Sequence, residues 1–343
     1  MTDYEVTIAI PVYNVERYIR LTLDSALAQT FPSIEILVCD DCGTDGSIDI
    51  VRQYQQEHPR GKDIRIVSQP RNMGIGAARN RMIDEASGRY FFSLDADDSI
   101  APNAIELLYG AVRQHGAQLV YGSYERVFTE NDVEQQRVQY PYEHRVFTAP
   151  DEYACYAYDG KVQVMNWNFL IDIDVLRSNH LRVTPVGHGY GEDFTFTVDL
   201  PTYVQRVVLL PDITYQYYIR DASKPKRHKV LSREQIERSI AAIDRKKRRT
   251  ELKARPYYAK RCSVLLMYDY SFVCQIIARR SEPVPPFTRR EIRDVMWHPM
   301  SFSEIILSQQ VRGKNLMFWL FAVLPPLLSV PLMTLFAKAT HRI

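Results

Sequence analysis

The stretch G-R-Y-F-F-S-L-D-A-D-D at residues 88–98 decides the fold, because a short apolar run ends there in a cluster of acids. Residues 90–94 have the composition of a buried strand, and Asp95, Asp97 and Asp98 follow at once. Carboxylates crowded at a strand end repel one another unless a cation offsets the charge. The stretch therefore predicts a strand with a ligand site at its carboxyl end, although a solvated acidic turn remains the plain alternative.

Further apolar runs precede this strand, at residues 6–12, 34–39 and 64–68. Segments with helical spacing separate them, and Asn14 is expected to cap the first helix. The order β-α-β-α-β-α-β predicts an α/β fold with a mainly parallel sheet and flanking helices. After residue 100 the pattern loosens, and the polar residues 129–145 suggest a hairpin or a loop.

Polar residues follow several of these strands, and ligands of parallel sheets bind beyond the carboxyl ends of the strands. Asp41 could accept a hydrogen bond from the ring N–H of a nucleotide base, or could serve an Asx-type turn. Arg79, in R-N-M-G-I-G-A-A-R-N at residues 71–80, could reach a phosphate, or could lie in solvent on a capped helix. That segment lacks the spacing of a dinucleotide-binding fingerprint.

Two clusters of acids predict a metal site and a general base. Magnesium and manganese take oxygen ligands, so Asp97, with Asp95 and Asp98, is the expected metal site. In G-E-D-F at residues 191–194, Asp193 could act as a general base on a hydroxyl, with Glu192 orienting it or binding the acceptor. The alternative is a helix N-terminus where both acids meet the positive end of the dipole.

The C-terminal third differs in composition. Residues 224–261 hold fifteen Lys or Arg and four acids, a net charge of +11 in a chain whose total is +2. Residues 316–337 carry no charge but contain three prolines, so two short helices in the membrane interface, or a re-entrant hairpin, are expected. A buried hairpin is the alternative. The start of the chain has no apolar signal segment, which predicts a cytoplasmic location, peripheral or monotopic at the inner membrane.

The motifs together resemble glycosyltransferase family 2. The resemblance rests on I-P-V-Y-N at 10–14, L-D-S-A-L-A-Q-T-F at 23–31, D-D-C-G-T-D-G-S at 40–47, N-M-G-I-G-A-A-R-N, the stretch at 88–98, and G-E-D-F. It implies a GT-A, Rossmann-like fold and inverting transfer from a nucleoside-diphosphate sugar, with UDP the commonest nucleotide, assisted by Mg²⁺ or Mn²⁺.

The resemblance also implies roles by position. Pro11, Val12 and Tyr13 should pack on the base, and Asp41 should bind its ring N–H. Arg79 should contact the diphosphate. The remaining expected contacts are Asp95 near the ribose, Asp97 on the metal and Asp193 as the base.

The resemblance covers about residues 5–223 and implies a nucleotide-sugar half at residues 1–110 and a half for the acceptor and the base at residues 111–223. Charge and apolar composition predict membrane association for residues 224–343. The expected partners are a nucleotide sugar, a glycan or lipid-linked acceptor in surface polysaccharide synthesis, and the membrane surface, but no nucleic acid. A nucleotidyltransferase is disfavoured because P-V-Y-N-V-E at residues 11–16 replaces a glycine-rich basic loop. A non-catalytic membrane-associated protein that binds nucleotide sugar is the other alternative.

Overall fold

The computed structural model describes residues 4–184, 192–220, 232–278, 285–307 and 312–342. The chain forms two compact units. The first comprises Met1–Tyr153 and Val164–His228, and the second comprises Ala154–Gln163 and Lys229–Ile343. The predicted functional division at residues 110 and 223 stays a prediction.

The first unit is built on one mixed sheet whose strands pair in the order β3-β2-β1-β4-β9-β6-β10-β5, with β7 beside β6 and β8 beside β10. The strands are β1 (Val6–Val12), β2 (Ile34–Asp40), β3 (Ile64–Ser68), β4 (Tyr90–Ser93), β5 (Ser99–Ile100), β6 (Leu119–Glu130), β7 (Val133–Tyr140), β8 (Arg145–Phe147), β9 (Phe169–Asp172) and β10 (Val207–Ile219).

Helices flank this sheet in the described part of the unit. They are α1 (Ile19–Leu27), α2 (Ser47–Glu57), α3 (Ile75–Glu85), α4 (Ala104–His115), α5 (Glu152–Tyr156), α6 (Ile173–Ser178) and α7 (Glu192–Thr197). α5 runs across the boundary at which the chain enters the second unit.

The α/β prediction is confirmed in the first hundred residues, where β3, β2, β1 and β4 pair in parallel. The other half of the sheet is mixed: β9 is antiparallel to both β4 and β6, whereas β10 is parallel to β6. β7 folds back on β6 as the expected hairpin. The core forms between sheet and helices, since β1 is buried along its whole length and α1 buries Ile19, Leu23, Ala26 and Leu27 on one face.

The expectation that Asn14 caps the first helix is wrong. α1 begins at Ile19, and Asn14 has a left-handed backbone with a φ of 51°. Its side-chain oxygen instead accepts the N–H of Thr44 at 2.7 Å. Asparagine tolerates this backbone conformation better than most residues, so Asn14 turns the chain and ties two loops together.

The described part of the second unit is helical, apart from short turns. Its helices are α8 (Arg233–Lys247), α9 (Tyr258–Ala278), α10 (Arg289–Asp294), α11 (Phe302–Leu307), α12 (Arg312–Val323) and α13 (Pro326–Ala339). Ser232 is the N-cap of α8 and forms a capping box with Gln235. Residues 224–231 of the basic segment lie outside the described residues.

A buried ion pair holds α8 to α9 within this unit. Lys247 Nζ donates to Asp269 Oδ2 at 2.6 Å, and neither side chain is exposed. The same ammonium donates to the carbonyl of Trp297 at 2.6 Å. Burial raises the pKa of Asp269 to about 7, although the charge of Lys247 acts to lower it.

The apolar segment at residues 316–337 forms two helices that are interrupted near Pro325, as expected from its prolines. Pro331 is accommodated inside α13. Over the ranges that the structure describes, no helix combines the length and the apolar character needed to cross a bilayer.

Candidate functional site

The predicted site lies where β1, β2 and β4 end, because these strands are parallel neighbours. The Asp41 N–H donates to the carbonyl of Val12 at 3.0 Å. The Leu94 N–H donates to the carbonyl of Ala9 at 2.9 Å and carries β4 onward to Asp95. Residues that are far apart in sequence therefore meet at one edge of the sheet, as the alternating pattern predicts.

Arg79 connects two of the predicted acids at this edge. From α3, its Nη2 donates to Asp95 Oδ1 at 2.7 Å, and its Nη1 donates to Asp193 Oδ1 at 3.2 Å. The arginine side chain is only 6% exposed, whereas that of Asp193 is 47% exposed. A rigid guanidinium fork thus fixes the end of β4 against the start of α7 and leaves Asp193 open to solvent.

Burial and neighbouring charges shift the pKa values of Arg79 and Asp193. Burial alone would lower the pKa of Arg79, but Asp95 and Asp193 raise it above its ordinary value. Burial raises the pKa of Asp193, Arg79 acts to lower it, and Asp95 raises it further. The net result is a carboxylate with a raised pKa and an open face, which suits a general base.

Asp97 is held by a different arginine. Arg220, 5% exposed, donates from Nη1 to Asp97 Oδ2 at 3.3 Å. Its guanidinium carbon lies 4.1 Å from the ring centre of Tyr18 and 4.7 Å from that of Tyr218. Burial and the neighbouring Asp95 raise the pKa of Asp97 to about 6, against the opposite effect of Arg220.

Asp98 points away from solvent and is fully buried. Its Oδ2 accepts the hydroxyl of Tyr215 at 2.9 Å, and its Oδ1 accepts the N–H of Tyr218 at 2.8 Å. The Tyr215 hydroxyl also accepts the Asp95 N–H at 3.1 Å. Burial, with Asp97 and Asp95, raises the pKa of Asp98 well above its usual range. The acidic cluster is therefore divided, with Asp95 and Asp97 at the surface and Asp98 anchoring β10.

Asp41 is 3% exposed and uses both carboxylate oxygens to hold the loop before α3. They accept the N–H groups of Met73 at 2.8 Å and Gly74 at 2.9 Å. Gly74 has a φ of 86°, a conformation that glycine adopts without strain. A carboxylate has lone pairs for about four donors, so Asp41 retains capacity for a base N–H.

The other residues predicted to contact the base lie at the end of β1. Pro11 and Val12 are buried, while Tyr13 is 43% exposed. Of these three residues, Tyr13 is the one that offers a large apolar surface to a ligand, and Pro11 and Val12 support the backbone beside it.

Glu192 begins α7 and is 7% exposed. A methyl group on Gly76 would lie 3.3 Å from Glu192 Oε1, so glycine lets α3 approach this carboxylate. The side chain of Glu192 is therefore turned toward the protein, and its role in orienting Asp193 or binding the acceptor stays a prediction. Gly191 of the predicted G-E-D-F motif lies outside the described residues.

A metal site can be tested against these donors. Among the described residues, no three His, Cys, Asp or Glu side chains form a group that could hold a metal ion. Asp97 with Asp95 nevertheless fits a cation that takes its other ligands from phosphates and water, as Mg²⁺ commonly does. Burial raises the pKa of Asp97 most and repulsion by Asp95 raises it further, and a bound cation would relieve that repulsion.

Sequence patterns assign Tyr18 only an apolar position in the first helix. Tyr215 begins Y-Q-Y-Y-I-R-D-A-S at residues 215–223, a segment that could close over the diphosphate or the acceptor, or could be a packed strand. Their contacts with Arg220 and Asp98 join segments about 200 and 120 residues apart in sequence. Arg220 stood out only as a cation beside aromatic residues, with nothing to indicate Asp97 as its partner.

The fold and this edge define an α/β protein with a carboxylate-rich site beyond its parallel strands. Residues 7–171 match the family model described as Glycosyl transferase family 2. The chain therefore carries a domain that belongs to glycosyltransferase family 2, which confirms the resemblance seen in its motifs.

Curated relatives agree with this assignment. The chain is 37% identical over 124 residues to glycosyltransferase GlyA of Streptococcus pneumoniae, a match that covers 36% of this chain and 17% of GlyA. It is 39% identical over 109 residues to chondroitin synthase of Escherichia coli, covering 32% of this chain and 15% of the synthase. The chain thus matches less than a fifth of the length of either relative.

The solved structure of residues 1–349 of TarS from S. aureus, in complex with UDP-GlcNAc, is similar in fold. The TM-score is 0.70 at 17% sequence identity, over 98% of this chain and 92% of that one. The GT-A-type fold expected from the sequence is thereby confirmed.

Proposed function

We propose that this protein is an inverting glycosyltransferase that moves a sugar from a nucleoside-diphosphate sugar, with UDP the preferred nucleotide, to a hydroxyl of a glycan or lipid-linked acceptor in surface polysaccharide synthesis. The observation that carries the proposal is the bridge from Asp95 through Arg79 to Asp193. It places an open carboxylate beside the edge at which a parallel sheet binds its ligand.

The donor is assigned to the edge formed by Tyr13, Asp41 and Asp95. An exposed ring and two carboxylates suit a uracil ring and a ribose, which offer an apolar face and polar N–H and O–H groups. The chondroitin synthase relative and the UDP-GlcNAc complex of TarS support a UDP-sugar and polysaccharide synthesis.

Asp193 is the proposed general base. Its carboxylate accepts the proton of the acceptor hydroxyl while that oxygen attacks the anomeric carbon opposite the diphosphate. Arg79 fixes the position of Asp193 relative to Asp95, because its guanidinium contacts both carboxylates. A single displacement inverts the anomeric configuration. A bound Mg²⁺ or Mn²⁺ would be held by Asp97, with Asp95 beside it, and would neutralise the diphosphate as it leaves.

The stereochemistry of donor hydrolysis tests this proposal without knowledge of the acceptor. The full chain is incubated with UDP- and GDP-sugars and Mg²⁺ or Mn²⁺, and proton NMR follows the released sugar before mutarotation. We expect an α-linked UDP-sugar to release the β-anomer first. Release of the α-anomer would contradict inversion, and turnover of no nucleotide sugar would contradict the proposed activity.

We also propose that the second unit contacts the membrane through one face of α12 and α13. Its exposed side chains are Leu320, Val323, Leu327, Leu328, Leu332 and Leu335, from 39% to 68% exposed. Several exposed large apolar side chains on two successive helices are typical of an interaction site. Exposed Lys338 and Arg342 follow the apolar face and would add attraction to anionic lipid of ~1 kcal/mol each.

This face can be tested by sedimentation with vesicles of phosphatidylglycerol and phosphatidylcholine. Replacing Leu328 and Leu335 together by Glu should remove most binding, because both side chains would be charged at the apolar surface. Glu replacing the exposed Gln53 and Gln56 of α2, which adds the same two negative charges, serves as the matched control. Equal sedimentation of the leucine variant and the unchanged chain would contradict membrane contact.

A further inference from the structure

An aromatic surface continues from the acidic cluster along one face of β6, β7 and β10. We call Tyr124, Tyr140, Trp167, Tyr215 and Tyr217 the aromatic floor. Strand register sets Tyr124 opposite both Tyr215 and Tyr140. The Trp167 ring centre lies 4.4 Å from that of Tyr215 and 5.3 Å from that of Tyr217. Since Tyr215 holds Asp98, the floor begins at the proposed catalytic edge.

The floor has a buried layer and a layer that faces solvent. Trp167, Tyr124 and Tyr215 are buried and support the rings above them. Tyr140 and Tyr217 are half-buried, and their hydroxyls make no hydrogen bond within the described ranges. Tyr217 directly precedes Tyr218, whose N–H donates to Asp98, so it lies beside the acidic cluster. Ring faces with free hydroxyls suit the C–H face and hydroxyl rim of a sugar.

Arg126 stands at the far end of this floor, paired in register with Tyr217. Its guanidinium carbon lies 4.7 Å from the ring centre of Tyr140. Nε is buried without a hydrogen-bond partner. In contrast to Arg79 and Arg220, Arg126 forms no ion pair with any described residue. A half-buried arginine is normally paired with an acid, and stacking on a ring leaves its N–H edge free for an anion.

We propose that Tyr140, Tyr217 and Arg126 form an acceptor subsite that selects a glycan bearing an anionic group, a carboxylate or a phosphate. The proposal rests on the proposed transfer activity, and it adds the chemical class of the acceptor. The sugar ring packs on the two tyrosines, and Arg126 donates to the anionic group. Because this subsite lies next to Asp97 and Asp98, we assign it to the acceptor. The nucleotide is assigned to the edge at Tyr13 and Asp41.

Matched small glycosides test the subsite in the full chain saturated with UDP and Mg²⁺. Ligand-observed NMR gives the affinity of methyl β-D-glucoside, methyl β-D-glucuronide and methyl β-D-glucoside 6-phosphate. We expect at least one anionic glycoside to bind about tenfold more tightly than the neutral one. The anionic glycoside that binds more tightly shows whether the subsite selects a carboxylate or a phosphate. Arg126→Gln should abolish this preference, Arg126→Lys should keep part of it, and Arg52→Gln should keep it whole. Tyr217→Ala should weaken all three glycosides.

Three results would overturn the subsite: no preference for either anionic glycoside, a preference unchanged in Arg126→Gln, or a tenfold loss of UDP affinity in that variant, which would assign Arg126 to the donor. Thermal unfolding shows whether Arg126→Gln folds. If it does not fold, the anion preference is compared between Arg126→Lys and the unchanged chain instead. Donor hydrolysis by the unchanged chain is measured separately. An absence of hydrolysis together with a clear anion preference would count against the transfer activity and not against the subsite.

Discussion

Replacing Arg79 by Gln removes the one cation that contacts both Asp95 and Asp193 within the described residues. The Nη1–Asp193 separation is 3.2 Å, and the Asp193 side chain is 47% exposed. Two unit charges at 4 Å interact by about 1 kcal/mol in bulk water and about 4 kcal/mol at an effective dielectric constant of 20. Solvent screening at Asp193 favours the lower figure, which corresponds to a pKa change of roughly one unit.

The sign of the effect follows from the role of the base. Arg79 favours the charged form of Asp193 and so acts to lower its pKa, which burial has raised. Without Arg79 the pKa of Asp193 rises further. A general base works only when deprotonated, so activity is lost as the pH falls through its pKa. The acid limb of kcat/KM should therefore move upward by roughly one pH unit in Arg79→Gln.

The assay is nucleotide release from the donor between pH 4.5 and 9, with thermal unfolding to show that each variant is folded. Arg79→Lys keeps the charge and should shift the limb less than Arg79→Gln. Arg81→Gln is the matched control, because Arg81 lies on the same helix and pairs with Glu85. If folded Arg79→Gln shows the acid limb of the unchanged enzyme, the assignment of Asp193 as a base tuned by Arg79 is wrong.

Further predictions separate roles within the acidic cluster and the second unit. Asp97→Asn should raise the Mn²⁺ concentration for half-maximal activity by roughly tenfold or more, with little change in unfolding temperature. Asp98→Asn should instead destabilise the fold by about 1–3 kcal/mol in urea unfolding, since two buried hydrogen bonds to the carboxylate are weakened; the reverse pattern would make Asp98 the metal ligand. Lys247→Met should cost about 3–5 kcal/mol because it leaves Asp269 buried and unpaired, and adding Asp269→Leu should restore most of that loss. No recovery in the double variant would show that the ion pair is not the cause.

The features predicted well from the sequence are those that depend on local patterns. Short apolar runs separated by helical spacing suffice to place β1 to β4 in a parallel arrangement, and that arrangement places Asp41 and Asp95 at one edge. Likewise, the polar residues 129–145 contain the turn of the hairpin that β6 and β7 form. Each of these signals lies within a few residues of its consequence.

The features that the sequence could not supply depend on distant partners. Asp98 is turned inward by Tyr215 and Tyr218, and no pattern around residue 98 indicates that β10 returns to that point. The insertion of β9 between β4 and β6 reflects the pairing of strands about 50 to 80 residues apart. Asn14 illustrates the same limit, because its cap-like sequence serves Thr44 in another loop.

Asp193→Asn tests the central claim most directly, since it removes the proposed base while keeping the size of the side chain. The rate of nucleotide release and the dissociation constant of the UDP-sugar are measured for this variant and for Asp212→Asn, an exposed aspartate on β10. We predict a fall in rate of about 10² to 10⁴-fold for Asp193→Asn, a donor affinity within about threefold of the unchanged chain, and no change for Asp212→Asn. An unchanged rate in Asp193→Asn would contradict the account.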